Sequence, residues 1–297
     1  MTTSTTSTSF SAGAVVRAAR PRQWIKNLLV LAAPALGGRI ADLDVLVAAC
    51  IAFAAFCCAA SGIYFINDVR DIEEDRAHPT KRFRPIPAGE VSTKLAVVVG
   101  IGLLLAGLAV SLAANRELFA VVATYEAVSL VYCLALKDEP VIDIAIIASG
   151  FLLRAVAGGA AAEIELSQWF LLAASFGSLF MAAGKRYAEV TMTKPGDSST
   201  RRSLSGYSAS YLRFVWSVAA ALVIMTYGLW AFEMKELSGT PWAAISIAPF
   251  VLAVLRYAVD VDAGRAGEPE EIALSDRVLQ GLALIWLTLV AIAVYTN

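Results

Sequence analysis

An all-helical protein threaded repeatedly through a lipid bilayer is the fold class this sequence predicts. Three observations predict it. Of 297 residues, 58% are hydrophobic and only 16% charged, with mean hydropathy +0.68. Globular domains run roughly 45–50% apolar and about 25% charged, so the surplus must be buried against lipid. Apolar runs near the ~20 residues that cross a bilayer core as a helix recur along the chain. The cations, finally, are sorted to one side of those runs. The net charge of −1 gives no reason to expect a nucleic-acid partner, so only the placement of charge is informative.

Taken in order, Met1–Ala12 is rich in Ser and Thr and carries no basic residue ahead of an apolar run, so it reads as a tail and not as a cleavable signal peptide. Residues 1–20 are expected to form a disordered cytoplasmic tail, and 21–297 a single transmembrane catalytic domain. Nine spans are expected, at about 24–38, 44–66, 94–114, 118–136, 141–162, 168–184, 208–232, 241–258 and 278–296. With the N-terminus inside, only Arg39, Arg116 and Lys235 fall outside and Arg154 within a span, which leaves the other twenty of 24 Lys and Arg inside. That asymmetry orients the chain N-in, C-out, as a multi-pass protein of the cell (inner) membrane. Two long charged connections, about 67–93 and 185–207, then lie on the cytoplasmic side, where the chemistry is expected. The acidic stretch from Asp260 through Glu268, Glu270 and Glu271 to Asp276 reads as a solvated loop. Cys50, Cys57, Cys58 and Cys133 have no Cys-x-x-Cys spacing or histidine neighbour and read as small apolar fillers.

The second span ends in Asn67-Asp68-Val69-Arg70-Asp71-Ile72-Glu73-Glu74-Asp75. If the helix continues, rotation of about 100° per residue brings Asn67, Asp71 and Asp75 within about 80°, with Asp68 alongside. Such an oxygen-only face suits Mg²⁺, which takes one or two carboxylates together with substrate phosphates. A solvated acidic helix end is the plainer alternative. Directly after it, His78-Pro79-Thr80-Lys81-Arg82-Phe83-Arg84-Pro85-Ile86-Pro87 sets three cations between prolines. Arg82 and Arg84, held in a stiffened segment, are candidates to clamp phosphate, whereas His78 reads as a loop residue. The other inner connection opens with Gly184-Lys185-Arg186-Tyr187-Ala188-Glu189, where bases outnumber acids and an anion is favoured over a second metal. Arg20, Arg22 and Lys26 open the first span, Tyr132 and Lys137 close the fourth, and Arg154 lies within the fifth. A cation at membrane depth requires a partner or an anionic ligand.

The Asn67-Asp68-x-x-Asp71-x-x-x-Asp75 motif, the Arg82-to-Ile86 stretch and the span count together resemble the UbiA superfamily of intramembrane transferases. Where most members carry a second Asp-rich motif, this sequence has Lys185-Arg186-Tyr187-Ala188-Glu189. With Arg20-Pro21-Arg22-Gln23-Trp24-Ile25-Lys26-Asn27 and Tyr132-x-x-x-x-Lys137, it is similar to the decaprenyl-phosphate phosphoribosyltransferase branch. The resemblance implies a UbiA-like bundle around a cavity open to lipid, and transfer of phosphoribose from 5-phosphoribosyl 1-diphosphate to a polyprenyl phosphate for cell-wall arabinan precursors. It implies Mg²⁺ as cofactor, with Mn²⁺ as the substitute. Asp68, Asp71 and Asp75 are the expected catalytic residues, and Asn67, Asp71 and Asp75 the metal ligands. Lys26, Asn67, Arg82, Arg84, Lys137, Arg154, Lys185, Arg186, Tyr187 and Glu189 are expected to bind substrate. A homo-oligomer is left open. The alternatives are an aromatic prenyltransferase of the same fold and, from another class, an ion-coupled transporter. Transport is disfavoured because the charges gather at one edge and not at midplane.

Overall fold

The computed structural model describes residues 11–192, 206–263, 272 and 275–296, and all regular structure among them is helical. A short helix α1 (Ala12–Ala18) leads into a 3₁₀ segment (Pro21–Leu31) and α2 (Ala32–Leu36). Then follow α3 (Leu43–Arg70), α4 (Ile72–Ala77), a 3₁₀ turn (Lys81–Phe83), α5 (Thr93–Leu112) and α6 (Arg116–Val131). A π-helical turn (Tyr132–Leu136) ends α6. The chain continues as α7 (Ile142–Ala162), α8 (Gln168–Met192), α9 (Ala209–Ser238), α10 (Trp242–Ile245), α11 (Ile247–Asp262) and α12 (Arg277–Tyr295).

Seven of these segments are long and apolar enough to cross a membrane: α3, α5, α6 with its π turn, α7, α9, α10 with α11, and α12. The chain is therefore an integral membrane protein. Two of the nine expected spans depart from that description. The first, 24–38, is the 3₁₀ segment followed by a five-residue helix that contains Pro34 and ends before Gly37-Gly38; proline removes a backbone donor and glycine favours an exit from the helix. The sixth is a single helix, α8, whose polar C-terminal end lowers its mean hydropathy. It runs on through Lys185-to-Glu189 to Met192, so the connection expected from 185 begins later. Lys194, Arg201 and Arg202 lie outside the described residues.

The tail expected over 1–20 needs a similar correction, because Ala12–Ala18 is helical, capped by the Ser11 side chain, and buries Ala14 and Ala18. Residues 1–10 lie outside the described residues. Ile86 packs beside Ala14, Ala18, Phe65, Val91 and Ala96, which pins the proline-rich connection against α1 and α3. The Arg76 Nε–H donates to the Pro87 carbonyl at 3.2 Å and holds it from the other side. The acidic stretch is not wholly solvated either: α11 extends to Asp262, Asp260 is buried, and Asp276 caps α12 while accepting from Arg256 at 2.6 Å. Glu268, Glu270 and Glu271 lie outside the described residues.

Small residues set how closely the spans approach, as expected where lipid gives no hydrophobic drive between helices. A Cβ added to Gly62 of α3 would lie 2.9 Å from the Gly100 carbonyl of α5. One core joins α3, α6 and α7 through Phe56, Ala59, Leu118, Val122, Tyr125 and Ala157. A second joins α8, α9 and α11 through Phe180, Trp216, Tyr257 and Val261. The ends of α3, α6 and α8 and the starts of α7 and α9 meet at one edge of the bundle.

Candidate active site

At that edge α3 breaks at Asp71, whose φ and ψ are −99° and 16°. Even so, the Asp71 N–H still donates to the Asn67 carbonyl (2.9 Å) and the Asp75 N–H to the Asp71 carbonyl (2.8 Å). The spacing of four is thereby kept through the kink, and Asn67, Asp71 and Asp75 stay in line. Asp68, Asp71 and Asp75 are all buried. Buried carboxylates need compensation, and here each finds a cation. Asp68 accepts from Arg20 and, at 3.2 Å, from Arg84; Asp75 accepts from Arg84 at 2.7 Å; Asp71 accepts from Lys137, whose Nζ is 3.7 Å from Glu74. Arg20 reaches Asp68 from a left-handed backbone (φ 55°) just ahead of Pro21, with its guanidinium over the Tyr64 ring at 4.7 Å.

The expected clamp thus divides. Arg84 lies on the acidic cluster, while Arg82 is exposed and stacks on Phe83 at 4.8 Å. His78 orders its own loop, its Nδ1 accepting from the Thr80 and Lys81 N–H groups at 3.2 and 3.3 Å.

Beside the cluster is a polar cavity of about 240 Å³ lined by Arg20, Lys26, Asn67, Arg154, Lys185 and Arg186, with Tyr64, Tyr125, Tyr132 and Cys133 among its other walls. Among the described residues, five cations and no carboxylate face it. Arg186 is nevertheless not free: its Nε and a terminal nitrogen donate to the two oxygens of buried Asp143, each at 2.6 Å, and it also meets Glu189 and the Tyr132 hydroxyl. Glu189 is accordingly a partner of Arg186. Tyr187 is not in the cavity. It packs on Trp216, and its hydroxyl donates to Asp262 (3.2 Å) and accepts from Arg213 (2.6 Å). One residue along a helix turns the side chain by about 100°, which separates Tyr187 from Arg186.

Arg154, about 18 Å along α7 from its first residue at 1.5 Å per residue, is buried and held by neutral groups: Asn27 Oδ1 (2.7 Å), the Gly150 carbonyl (2.6 Å) and the Tyr125 hydroxyl (3.1 Å). The expected set omitted Asn27, Tyr125 and Asp143. Only Asp143, an acid inside an apolar run, carried a signal that could have found it.

A larger cavity, about 510 Å³, has no charged residue and is lined by Leu29, Ala32, Phe170, Met181, Val223 and Trp286 among others. The polar and apolar cavities share a wall, since Lys26 and Arg154 face one while Leu29 and Ala155 face the other.

Among the described residues no three His, Cys, Asp or Glu converge on a metal position, so an all-protein cage is not what this donor set makes. Its chemistry fits a Mg²⁺ shared with a substrate diphosphate: oxygen-only donors, two carboxylates in line, and cations at hand for phosphate oxygens.

The chain is 53% identical over 293 residues, covering 95% of it and 92% of the relative, to a decaprenyl-phosphate phosphoribosyltransferase of Mycolicibacterium smegmatis. It is 50% identical to one of Corynebacterium glutamicum, covering 96% and 87%. Among solved structures, a UbiA homolog from Archaeoglobus fulgidus bound to GPP and Mg²⁺ superposes with TM-score 0.70 at 19% identity, covering 96% of this chain and all of that one; this likeness shows the fold alone. A UbiA homolog from Archaeoglobus fulgidus has also been solved bound to Cd²⁺, and it superposes with TM-score 0.68 at 18% identity. The model of the UbiA prenyltransferase family matches residues 28–274, and the chain belongs to that family.

Proposed function

We propose that this protein transfers 5-phosphoribose from 5-phosphoribosyl 1-diphosphate to a polyprenyl phosphate, decaprenyl phosphate by its likeness to the relatives, releasing diphosphate. The observation that carries the reading is the polar cavity, where Lys26, Arg154 and Lys185 stand beside Arg20 and Arg186, whose charges are already met by Asp68 and by Asp143 and Glu189. A single diphosphate does not call for so many cations; a diphosphate, a sugar 5-phosphate and a lipid phosphate brought together do.

Asn67, Asp71 and Asp75 would hold Mg²⁺, which when bound neutralises charge on the departing diphosphate. Lys26, Arg154 and Lys185 line the space in which the remaining phosphates would lie, and fixing two reactants there supplies much of the rate through orientation. Arg20, Arg84 and Lys137 hold the buried carboxylates in place. An oxygen of the lipid phosphate forms a bond to C1 of the ribose as the bond from C1 to the diphosphate oxygen breaks. The acceptor is already ionised, so no general base is needed, and attack from the face opposite the leaving group inverts C1. The charge-free cavity across the shared wall suits an isoprenoid tail. The positive-inside asymmetry favours a cytoplasmic position for this edge of the bundle, and the product would then enter cell-wall arabinan synthesis.

The test supplies purified protein with radiolabelled 5-phosphoribosyl 1-diphosphate, Mg²⁺ and polyprenyl phosphates of several lengths. Label should move into the organic phase. Prenylation of an aromatic acid from a polyprenyl diphosphate, with no label in lipid phosphate, would establish the aromatic prenyltransferase reading instead.

A further inference from the structure

Two buried arginines face the polar cavity, and their surroundings differ in kind. Arg186 is bound by the carboxylates of Asp143 and Glu189. Arg154 forms no ion pair among the described residues; its acceptors are an amide oxygen, a backbone carbonyl and a phenol. Its guanidinium lies over the rings of Tyr125 (4.8 Å) and Phe56 (5.5 Å), which soften the cost of burial without cancelling the charge.

A guanidinium has five N–H groups. The three bonds to Asn27, Gly150 and Tyr125 leave one on each terminal nitrogen. Two N–H groups therefore remain for phosphate oxygens. The orientation of Asn27 follows from chemistry as well: arginine only donates, so the amide oxygen must face it. The Asn27 Nδ2 then points to Cys57 Sγ at 3.3 Å. Asn27 is 1% exposed, and this second contact fixes its rotamer.

We infer that Asn27 and Tyr125 are positioning residues, whose neutral oxygens hold the Arg154 guanidinium so that its undiminished charge and two N–H groups serve a phosphate monoester in the cavity. The inference rests on the phosphoribosyl transfer proposed above. The shared ligand chemistry has two sources, the 5-phosphate of the sugar and the head of the lipid phosphate, and the experiment separates them.

Asn27→Asp is the decisive variant. The shapes are nearly the same, and a carboxylate beside a guanidinium stays ionised. Arg154 would then resemble Arg186, better bonded and electrically cancelled. Stability and phosphate binding therefore move in opposite directions, which a merely structural role does not produce.

The full chain in detergent is prepared as wild type, Asn27→Asp and Tyr125→Phe. Thermal melting is recorded, together with equilibrium binding of ribose 5-phosphate and of farnesyl phosphate and the KM and kcat of transfer. Asn27→Asp should melt at or above the wild-type temperature. It should bind one probe about tenfold more weakly or worse, the scale of one hydrogen-bonded charge. KM for the corresponding substrate should rise by the same factor with kcat little changed, and the affected probe identifies the phosphate. Tyr125→Phe should weaken the same probe by a smaller factor. Unchanged binding of both probes by Asn27→Asp, or no binding of either by the wild type, overturns the inference. Should Asn27→Asp fail to fold, unchanged binding by Tyr125→Phe overturns it and a selective loss supports it. If the wild type binds a probe but transfers no phosphoribose, the functional reading fails while the binding series still decides this one.

Discussion

Gly158→Ala should disable this protein from a position that touches no substrate. The 3₁₀ segment crosses α7 at that glycine so closely that an added Cβ would lie 1.8 Å from the Val30 carbonyl oxygen, 2.8 Å from its carbon and 3.1 Å from Pro34 Cδ. The atoms met first are backbone, so no rotamer change relieves the contact. Opening 1.8 Å to the 3.0 Å floor of real Cβ contacts moves the segment by about 1.2 Å. Asn27 is three residues before Val30, one turn of 3₁₀ helix, and Arg154 is four before Gly158, one turn of α-helix. The steric contact and the Arg154-to-Asn27 hydrogen bond are thus adjacent rungs of one crossing. Borne in full, the shift would stretch that bond from 2.7 Å to about 3.9 Å, outside hydrogen-bonding range.

Overpacking of this kind destabilises by about 1–3 kcal/mol, and a misplacement of about 1 Å in a reacting site lowers rate by up to ~100-fold. The assay is phosphoribosyl transfer beside a thermal melt, with Gly102→Ala as control. Nothing lies within 4 Å of a Cβ at Gly102, and there alanine should gain about 0.5–1 kcal/mol of helix stability. Gly158→Ala should melt below wild type and lose at least about tenfold in kcat/KM. If it melts and turns over like the control, the reasoning that links this crossing to the site is wrong.

Asp71→Asn and Asp75→Asn should each abolish transfer in a protein that still folds, and a chelator should do the same to the wild type; full activity in chelator would remove the metal from the mechanism. Tyr187→Phe, which removes a hydroxyl bound to Asp262 and Arg213 outside the cavity, should keep transfer within about twofold while lowering the melting temperature, in line with the loss of two hydrogen bonds. A tenfold loss of transfer would return Tyr187 to the site. Asp143→Asn leaves Arg186 buried with Glu189 as its remaining ion-pair partner and should destabilise by about 3 kcal/mol; wild-type melting would show that the pair does not matter.

The membrane class, most spans and the acidic edge were legible because each rests on local pattern. A period of about 3.6 aligns Asn67, Asp71 and Asp75 whatever the rest of the chain does, and the hydrogen bonds across Asp71 keep that alignment through a kink the sequence did not announce. The basic residues were legible as a group and misjudged singly. Nothing within Lys185-Arg186-Tyr187-Ala188-Glu189 reveals that Asp143, 43 residues earlier, neutralises Arg186, or that Tyr187 turns to Asp262, 75 residues later. The role of Asn27 was hidden for a related reason: in sequence it only closes the Arg20-to-Asn27 stretch at the rim of an apolar run, whereas its contact with Arg154 spans 127 positions. The first span was overestimated because apolar composition continues through Pro34, where helical hydrogen bonding cannot.

These pairings bear on what the count of cations means. From sequence, every Lys and Arg near the inner edge is equally a candidate to bind phosphate. The fold sorts them. Arg20, Arg84 and Lys137 are committed to buried carboxylates, and Arg186 to Asp143 and Glu189, so their fields are largely cancelled at the distance of a ligand. Pairing a cation with a carboxylate fixes geometry at the expense of the charge that would attract an anion. Pairing it with amide, carbonyl and phenol oxygens fixes geometry and leaves that charge in place. Arg154 is the buried arginine treated in the second way, and a substrate carrying several phosphates feels it from within a wall otherwise made of Ile146, Ile147, Gly150 and Phe151, where little solvent screens it. Selectivity between anions in this cavity should therefore follow the partners of each cation more closely than the number of cations.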